Sequence, residues 1–261
     1  MSTSAASLTQ LCPAPGSRVV VVGGCGSIGR AVVAALCSVN CDVAVLDLAP
    51  SLKKYPPPTG AFGLSVDATS EPSVSASFAD VAKRWGAIDS LVNLCGYKHD
   101  LKPIEAFSTA DWDDGIAGNL RSAFLVSRAA VPLLKKAGGG TIVHVSSAMG
   151  TQGREGYGPY AAAKGAINAL AKTMARENAP AIRVNIVAPG LVDTAFIRGG
   201  TGRSHEDQTP QVDVESYQQA IPMKRVALAE DIVGPILFLA GPASRYMTGQ
   251  ILYINGGSFM P

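Results

Sequence analysis

A tyrosine and a lysine stand four residues apart in the segment "YAAAK", at Tyr160 and Lys164, and Ser147 lies 13 residues before the tyrosine. In a helix this spacing places both side chains on one face. A free tyrosine titrates near pH 10, and a nearby lysine cation lowers that pKa by stabilising the phenolate. The pattern is therefore typical of general acid/base chemistry, with Ser147 donating a hydrogen bond to the reacting oxygen.

Neighbouring residues are weaker candidates for these roles. Tyr157 has no lysine four residues further on, and Ser146 would point to the opposite side of an extended strand from Ser147. His144 lies inside a predicted buried strand, where we expect a hydrogen-bonded core histidine.

A glycine-rich turn precedes this segment, in "VVVVGGCGSIGRAVVAAL" over residues 19–36. Gly24, Gly26 and Gly29 form a G-x-G-x-x-G frame between a β-branched run and a helical pattern, as a dinucleotide fingerprint requires. Such glycines allow close approach of a pyrophosphate to the N-terminus of the helix. The alternative is an ordinary strand-to-helix turn. The residues expected to contact the pyrophosphate are Gly23, Cys25, Gly26, Ser27, Ile28 and Gly29.

Two carboxylates follow at the ends of predicted strands. Asp47 ends "DVAVLD", 18 residues after Gly29, where it can accept hydrogen bonds from the adenosine ribose and repel a 2′-phosphate. This carboxylate favours NAD over NADP, and its neighbour Leu48 is also expected to contact the cofactor. Asp67, followed by Ala68, either accepts from the adenine amino group or caps the next helix.

The chain alternates β-branched runs with helix-period segments. Runs that are apolar on both faces and alternate with helices predict a parallel sheet covered on both sides, a doubly wound α/β fold with seven strands in a single domain over residues 18–261. The predicted strands are 18–22, 42–47, 61–66, 90–94, 141–146, 183–187 and 251–254. The predicted helices are 28–38, 71–85, 109–137, 160–177 and 230–240.

Three segments are predicted to lack regular structure. Residues 1–17 show no signal-peptide pattern and are expected to form a flexible leader. Residues 51–60, "SLKKYPPPTG", predict a proline-stiffened loop. The segment of about 194–222 has no clear periodicity, and because it follows a strand end we expect a lid over the site.

Composition argues against several classes of protein. Charged residues make up 16% of the chain and the net charge is +2, so nothing electrostatic favours a nucleic-acid partner. No apolar run approaches the roughly 20 residues of a membrane helix. The five cysteines form no CxxC pair, and with three histidines they match no metal site. We expect free thiols and a cytoplasmic protein without membrane partners.

The sequence from residue 18 to 257 resembles the short-chain dehydrogenases/reductases of the compact branch. These motifs occur in it in the same order as in that family. The further motifs are "NLCG" at 93–96, "DWDDGIAGNL", "RVNIVAPGLVDT" and "TGQILYINGG". Ser27 stands where that branch has a second glycine, and Gly26 gives a spacing more typical of the extended branch.

The resemblance implies roles for individual residues. Tyr160 is the general acid/base in an alcohol–ketone interconversion, Lys164 also donates to the nicotinamide ribose, and Asn119 holds a water that connects Lys164 to solvent. Further implied cofactor contacts are Asn93, Leu94, Cys95, Gly96, Pro189, Gly190, Val192 and Thr194. The expected substrate contacts are Ser147, Met149, Gln152, Tyr157, Tyr97 and His99, with Lys98, Arg198 and Arg203 as basic groups nearby.

The resemblance also implies a homotetramer, or a homodimer, built through helices 109–137 and 160–177 and the C-terminal strand. The alternatives are a non-catalytic NAD-binding regulator on the same fold and an NADP-dependent carbonyl reductase.

Overall fold

The fold is built on one sheet of seven parallel strands, as a computed structural model that describes residues 11–199, 209–210 and 212–261 shows. The strand order is β3-β2-β1-β4-β5-β6-β7, and every neighbouring pair is parallel. The order reverses between β1 and β4, which opens a crevice at the carboxyl ends of these strands. The predicted doubly wound α/β fold is confirmed. The strands are β1 Arg18–Val22, β2 Asp42–Asp47, β3 Ala61–Ser65, β4 Ser90–Asn93, β5 Gly140–Val145, β6 Ile182–Pro189 and β7 Ile251–Ile254.

Helices cover both faces of the sheet. Aliphatic side chains of alternate strand positions pack into two separate cores, because successive side chains of a strand point to opposite faces. Val20 and Leu91 belong to one core, and Val21 and Val92 to the other. The α-helices are α1 Ser27–Ser38, α2 Ala49–Lys54, α3 Glu71–Trp85, α4 Thr109–Ile116, α5 Ser122–Lys136, α6 Gly158–Asn178, α7 Phe196–Gly199, α8 Val214–Ala220 and α9 Ala229–Ala240.

Two predicted elements differ from the structure. The helix predicted over 109–137 is interrupted by a π-turn at Ala117–Arg121, which joins α4 to α5. The loop predicted over 51–60 is half helical, since α2 ends at Lys54 and the prolines that follow prevent its continuation. Hydrophobic periodicity does not separate a π-turn from the α-helix around it, because the insertion shifts the apolar face by one residue.

Parts of the predicted leader and lid lie within the described residues. Residues 11–17 pack against the fold: Pro13 is buried, and a Cβ at Gly241 would lie 2.7 Å from the carbonyl carbon of Cys12. The leader predicted over residues 1–17 stays a prediction. The predicted lid contains α7 and α8, with Asp213 capping α8 through its bond from the Ser216 amide. Arg203 lies outside the described residues.

Within the described ranges, no helix has the length and apolarity needed to cross a bilayer. The same residues contain no group of three or more His, Cys, Asp or Glu side chains placed to hold a metal ion.

Candidate functional site

Tyr160 and Lys164 lie one turn apart at the beginning of α6, which starts two residues before the tyrosine. Pro159 suits the first turn because that turn needs no amide donor from it. Lys164 is 3% exposed and its Nζ donates to the carbonyl of Val145, the last residue of β5, at 3.0 Å. The Lys164 Nζ lies 5.6 Å from the centroid of the Tyr160 ring. The predicted pair thus meets at the end of β5.

Ser147 faces the tyrosine, two residues beyond the end of β5. Its Oγ accepts a hydrogen bond from the Met149 amide at 3.2 Å, and its hydroxyl lies close enough to that of Tyr160 to affect the pKa of the phenol. Ser146 points elsewhere and donates to the carbonyl of Lys164 at 3.1 Å. The two adjacent serines therefore have different surroundings, and Ser147 is the one that contacts the phenol.

The protonation of this pair is governed by burial. Desolvation raises the pKa of Tyr160 well above its ordinary value, and the hydrogen bond from Ser147 opposes the shift. Desolvation lowers the pKa of Lys164 to about 8. The spacing of Tyr160 and Lys164 predicts a lowered tyrosine pKa. In the protein alone that expectation is wrong, because burial outweighs a lysine cation that is directed at the Val145 carbonyl.

Asn119 lies in the π-turn with its two amide atoms in different surroundings. Its Nδ2 donates to the carbonyls of Tyr97 at 2.8 Å and Gly115 at 2.9 Å, while the buried Oδ1 has no hydrogen-bond partner among the described residues. A Cβ on Gly96 would lie 2.5 Å from Asn119 Oδ1 and 2.9 Å from Lys164 Nζ. Asn119 Oδ1 and Lys164 Nζ therefore approach the same point, and the close contact requires a glycine at 96.

A cleft of about 790 Å³ opens over these groups at the carboxyl ends of the strands. Of the predicted contacts, Gln152 is absent from its wall, whereas Met149 and Tyr157 are present. A smaller void of about 240 Å³ on the far side of Tyr160 is lined by Tyr97 and His99, among others. The wall of the cleft is formed by Ile28, Leu94, Gly96, Val145, Ser146, Ser147, Met149, Tyr157, Tyr160, Lys164, Pro189, Gly190, Leu191, Val192, Thr194, Phe196, Ile197 and Tyr217.

Two aromatic residues of the cleft were missed by the sequence analysis. The ring centroid of Phe196 lies 5.4 Å from that of Tyr160. The guanidinium of Arg154 lies over the ring of Tyr217 in α8, 4.4 Å from its centroid. Both belong to the segment predicted as a lid. Their signal in the sequence is the presence of aromatic residues within an otherwise polar, irregular stretch.

Arg198 and Lys98, two of the basic residues expected near the substrate, contact other residues of the protein. Arg198 contacts Asp193 at 2.5 Å and donates to the Thr194 carbonyl at 3.0 Å. Lys98 is 2% exposed, and its Nζ lies 5.8 Å from the centroid of the Phe196 ring. Burial lowers the pKa of Lys98.

The glycine-rich turn depends on a different set of glycines from the predicted frame. Gly23 has a φ of +79°, and a Cβ on Gly29 would lie 2.3 Å from the Gly23 carbonyl oxygen. At Gly26 the nearest atom would be 3.6 Å from an added Cβ. Neighbouring backbone therefore requires glycine at 23 and 29, which is the compact spacing, and a Cβ on Gly24 would lie 2.8 Å from Cγ1 of Val45. The Gly26 spacing typical of the extended branch is incidental.

We expect Gly29→Ala to lower affinity for a dinucleotide at least about tenfold and to cost about 1–3 kcal/mol of unfolding free energy, because its Cβ meets backbone that cannot move freely. Gly26→Ala is the matched control and should change neither by much. Fluorescence titration with NADH and thermal unfolding measure the two effects. Equal losses in both variants would contradict the spacing derived from the structure.

Asp47 is held rigidly at the end of β2. Its carboxylate accepts hydrogen bonds from the amides of Cys25 at 2.9 Å and Leu48 at 2.8 Å. Arg30 donates to the Cys25 carbonyl at 2.9 Å, and its guanidinium lies 4.1 Å from the centroid of the Tyr55 ring. The aspartate thus connects the glycine-rich turn to the edge of the crevice.

The capping alternative for Asp67 is wrong. Ser70 is the N-cap of α3 and accepts from the Ser73 amide, whereas Asp67 accepts from the amide and hydroxyl of Thr69 at 2.9 and 2.7 Å. The Asp67 side chain is exposed at the end of β3. Its adenine contact, with Ala68 beside it, stays a prediction.

Asn93 and His144 form a buried polar network beneath the "NLCG" turn. Asn93 Oδ1 accepts from the Cys95 amide at 3.1 Å, and its Nδ2 donates to His144 Nδ1 at 3.3 Å. The other ring nitrogen of His144 lies 3.2 Å from Ser127 Oγ. Desolvation, assisted by Lys164, lowers the pKa of His144 to about 4. The structure places His144 in the core, as predicted.

This histidine should make the fold sensitive to acid. The unfolded chain binds a proton at His144 below pH about 6.5 and the folded protein only below about 4. The unfolding free energy should therefore fall as the pH decreases through this window, by up to about 3 kcal/mol from this group. Urea titrations at several pH values should show a shallower decline for His144→Gln. Parallel curves for the two proteins would contradict this prediction.

The chain is similar to several known reductases and to a dehydrogenase of known structure. A family model described as enoyl-(acyl carrier protein) reductase matches residues 23–258. The 3-oxoacyl-[acyl-carrier-protein] reductase FabG of Vibrio harveyi is 32% identical over 252 residues, 94% of this chain and 98% of that protein. The acetoacetyl-CoA reductase of Allochromatium vinosum is 32% identical over 251 residues, 92% of this chain and 98% of that protein. The solved aldohexose dehydrogenase of Thermoplasma acidophilum superposes with a TM-score of 0.84 at 26% identity, covering 94% of both chains.

Proposed function

The chain belongs to the short-chain dehydrogenase/reductase family of oxidoreductases, and we propose that it interconverts a secondary alcohol and a ketone with NAD, using Tyr160 as the general acid/base. The observation that carries this proposal is the contact of Ser147 with the Tyr160 hydroxyl beside Lys164, in a cleft at the switch point of the sheet. This arrangement matches what a carbonyl reduction needs: a proton donor, a partner for the substrate oxygen and a nearby cation.

In the direction of reduction, the Tyr160 hydroxyl donates its proton to the nascent alkoxide. Ser147 donates a hydrogen bond to the same oxygen and stabilises the charge that develops on it. The raised pKa of Tyr160 keeps the hydroxyl protonated and ready to donate. For oxidation the proton moves the other way, and the Lys164 ammonium then stabilises the phenolate.

Several features fit a bound dinucleotide. Among the described residues no side chain caps α1, and its first turn contains no acidic residue, so the amides of this turn suit a pyrophosphate. Gly23 and Gly29 allow the tight turn that leads into α1, because an added Cβ at either position would meet neighbouring backbone. When bound, a nicotinamide dinucleotide supplies or accepts the hydride. Lys164 would hold the nicotinamide ribose, and Pro189, Gly190, Val192 and Thr194 would lie along the nicotinamide side of the cleft.

The preference for NAD over NADP is inferred from Asp47. Its carboxylate ends β2 where the adenosine ribose would lie, and two backbone amides hold it in place. A fixed negative charge there accepts from ribose hydroxyls and repels a 2′-phosphate.

The substrate class follows from the names of the relatives and from the cleft. Both curated relatives are named for reduction of a 3-oxoacyl or acetoacetyl thioester, so acetoacetyl-CoA should lead a panel of ketones that also includes oxidised sugars. The panel is assayed with NADH and NADPH by loss of the reduced nicotinamide absorbance. Turnover of a ketone by wild type supports the proposal. Tight NADH binding without any turnover would favour the non-catalytic regulator.

An oligomer through the α4–α5 and α6 helices and the C-terminal strand remains a prediction, as does the cytoplasmic location. Phe124 of α5 and Trp112 of α4 are 44% and 37% exposed, which supports burial of this face against a second copy. Light scattering should give a tetramer, or a dimer, and Phe124→Glu should lower the assembly state. A monomeric wild type would contradict this expectation.

A further inference from the structure

Side chains donate hydrogen bonds to backbone carbonyls in the π-turn that contains Asn119 and in the end of α4 before it. Ser122 Oγ lies 2.9 Å from the Gly118 carbonyl oxygen and 3.0 Å from that of Asn119, and Asn119 Nδ2 donates to Gly115. The Tyr97 hydroxyl donates to the carbonyl of Asp114 at 3.0 Å. A π-turn disrupts the regular helical ladder and leaves carbonyls in need of such donors. Tyr97 brings its donor from outside the helix.

The ring of Tyr97 also fixes the turn by shape. A Cβ added to Gly118 would lie 2.1 Å from Cε1 of Tyr97 and 2.7 Å from its hydroxyl oxygen. The ring therefore occupies the space that a side chain at 118 would need. The Tyr97 carbonyl accepts from Asn119 Nδ2 at 2.8 Å. Tyr97 thus contacts the π-turn through its ring and its carbonyl, and the end of α4 that leads into the turn through its hydroxyl.

These contacts determine where the free amide oxygen of Asn119 points. With Nδ2 bonded to Tyr97 and Gly115, Oδ1 is directed to the point beside Gly96 that Lys164 Nζ also approaches. A turn that relaxed to a regular α-helix would move Asn119 around the helix axis and away from Lys164.

We propose, on the basis of the function proposed above, that Tyr97 is a positioning residue: its ring against Gly118 and its hydroxyl on Asp114 hold the π-turn so that Asn119 serves the return of protons to Lys164 and Tyr160. After Tyr160 gives its proton to the alkoxide, a proton from solvent must replace it before the next turnover. Tyr97 acts on this step through Asn119 and without contact with the reacting atoms.

Three variants test the proposal. Tyr97→Phe removes only the hydroxyl, Gly118→Ala places a methyl group against the ring, and the double variant Tyr97→Ala/Gly118→Ala removes the collision. Tyr246→Phe and Gly234→Ala are the matched controls, because Tyr246 is fully exposed and an added Cβ at Gly234 would meet no atom within 4 Å. The readouts are the solvent deuterium isotope effect on kcat, with acetoacetyl-CoA and NADH, and hydrogen exchange of the amides of residues 117–122.

For Tyr97→Phe we expect a fall in kcat of about three- to tenfold, the effect of one hydrogen bond, with a larger solvent isotope effect than wild type. The amides of the π-turn should exchange about tenfold faster, because local opening becomes easier. KM and NADH affinity should stay within about twofold of wild type, because the Tyr97 hydroxyl donates to Asp114 and Tyr97 is not part of the cleft wall. A larger rise in KM would assign Tyr97 to substrate binding, as the sequence predicts, and would overturn the positioning role. Gly118→Ala should lose more activity, and the double variant should regain part of that loss.

Unchanged isotope effect and exchange in Tyr97→Phe would overturn the proposal, even if Gly118→Ala fails to fold. Absence of rescue in a folded double variant would overturn the steric part. Faster exchange with an unchanged isotope effect would make Tyr97 a structural support only, and so would also overturn its role in proton return. If wild type does not reduce acetoacetyl-CoA, that result counts against the proposed function, whereas hydrogen exchange still decides whether Tyr97 holds the turn.

Discussion

Tyr160→Phe should lower kcat/KM for ketone reduction by at least about 10³-fold while leaving the affinity for NADH within about twofold of wild type. The substitution removes the hydroxyl that contacts Ser147 and keeps the ring that packs against Phe196 at 5.4 Å. The shape of the cleft is therefore retained and its proton donor is lost. Steady-state kinetics with NADH and a fluorescence titration separate the two effects.

Tyr157→Phe is the matched control. Tyr157 is also buried, its ring lies 6.2 Å from that of Tyr160, and it lines the same cleft. Loss of its hydroxyl should change kcat/KM less than about tenfold, the upper end for one ordinary hydrogen bond. Comparable losses in both variants would show that the cleft depends on tyrosine packing and would contradict the assignment of Tyr160 as the acid/base. A Tyr160→Phe protein with near wild-type turnover would contradict it directly.

The fold was predictable because its signals are local and repeated. Each strand such as β1 or β2 is a short run that is apolar on both faces, so strand limits were predicted within a few residues. The positions of Tyr160, Lys164 and Ser147 followed from one helix start and one strand end. Their side chains converge because β5 ends and α6 begins at the same edge of the sheet.

Other features depended on contacts between distant residues and were not predictable from local pattern. The π-turn at Asn119 is stabilised by Tyr97 and Gly118, which are 21 positions apart, and nothing in the helical periodicity indicates it. The pKa of Tyr160 depends on how deeply the side chain is buried, which its spacing from Lys164 does not indicate. Phe196 of α7 and Tyr217 of α8 both line the cleft, which the irregular pattern around them does not indicate.

The carboxylate of Asp47 should determine the choice between NADH and NADPH. In Asp47→Asn, the kcat/KM with NADH divided by the kcat/KM with NADPH should fall by about 100-fold. The reason is that a like charge no longer opposes the 2′-phosphate. The asparagine Oδ1 can still accept from one of the two amides, Cys25 or Leu48, that hold the aspartate. The turn should therefore survive the change, as thermal unfolding would show, and the effect should appear in the KM for each cofactor.

Asp67→Asn supplies the control for Asp47→Asn, because it removes one negative charge from the end of the neighbouring strand β3. A contact with adenine is common to both cofactors, so this variant should leave the NADH/NADPH ratio unchanged. Arg30 adds a second discrimination, since its guanidinium lies near the same turn, over the ring of Tyr55. If wild type prefers NADPH and Arg30→Ala removes that preference while Asp47→Asn does not alter it, Arg30 is the residue that selects the cofactor and the NAD assignment is wrong.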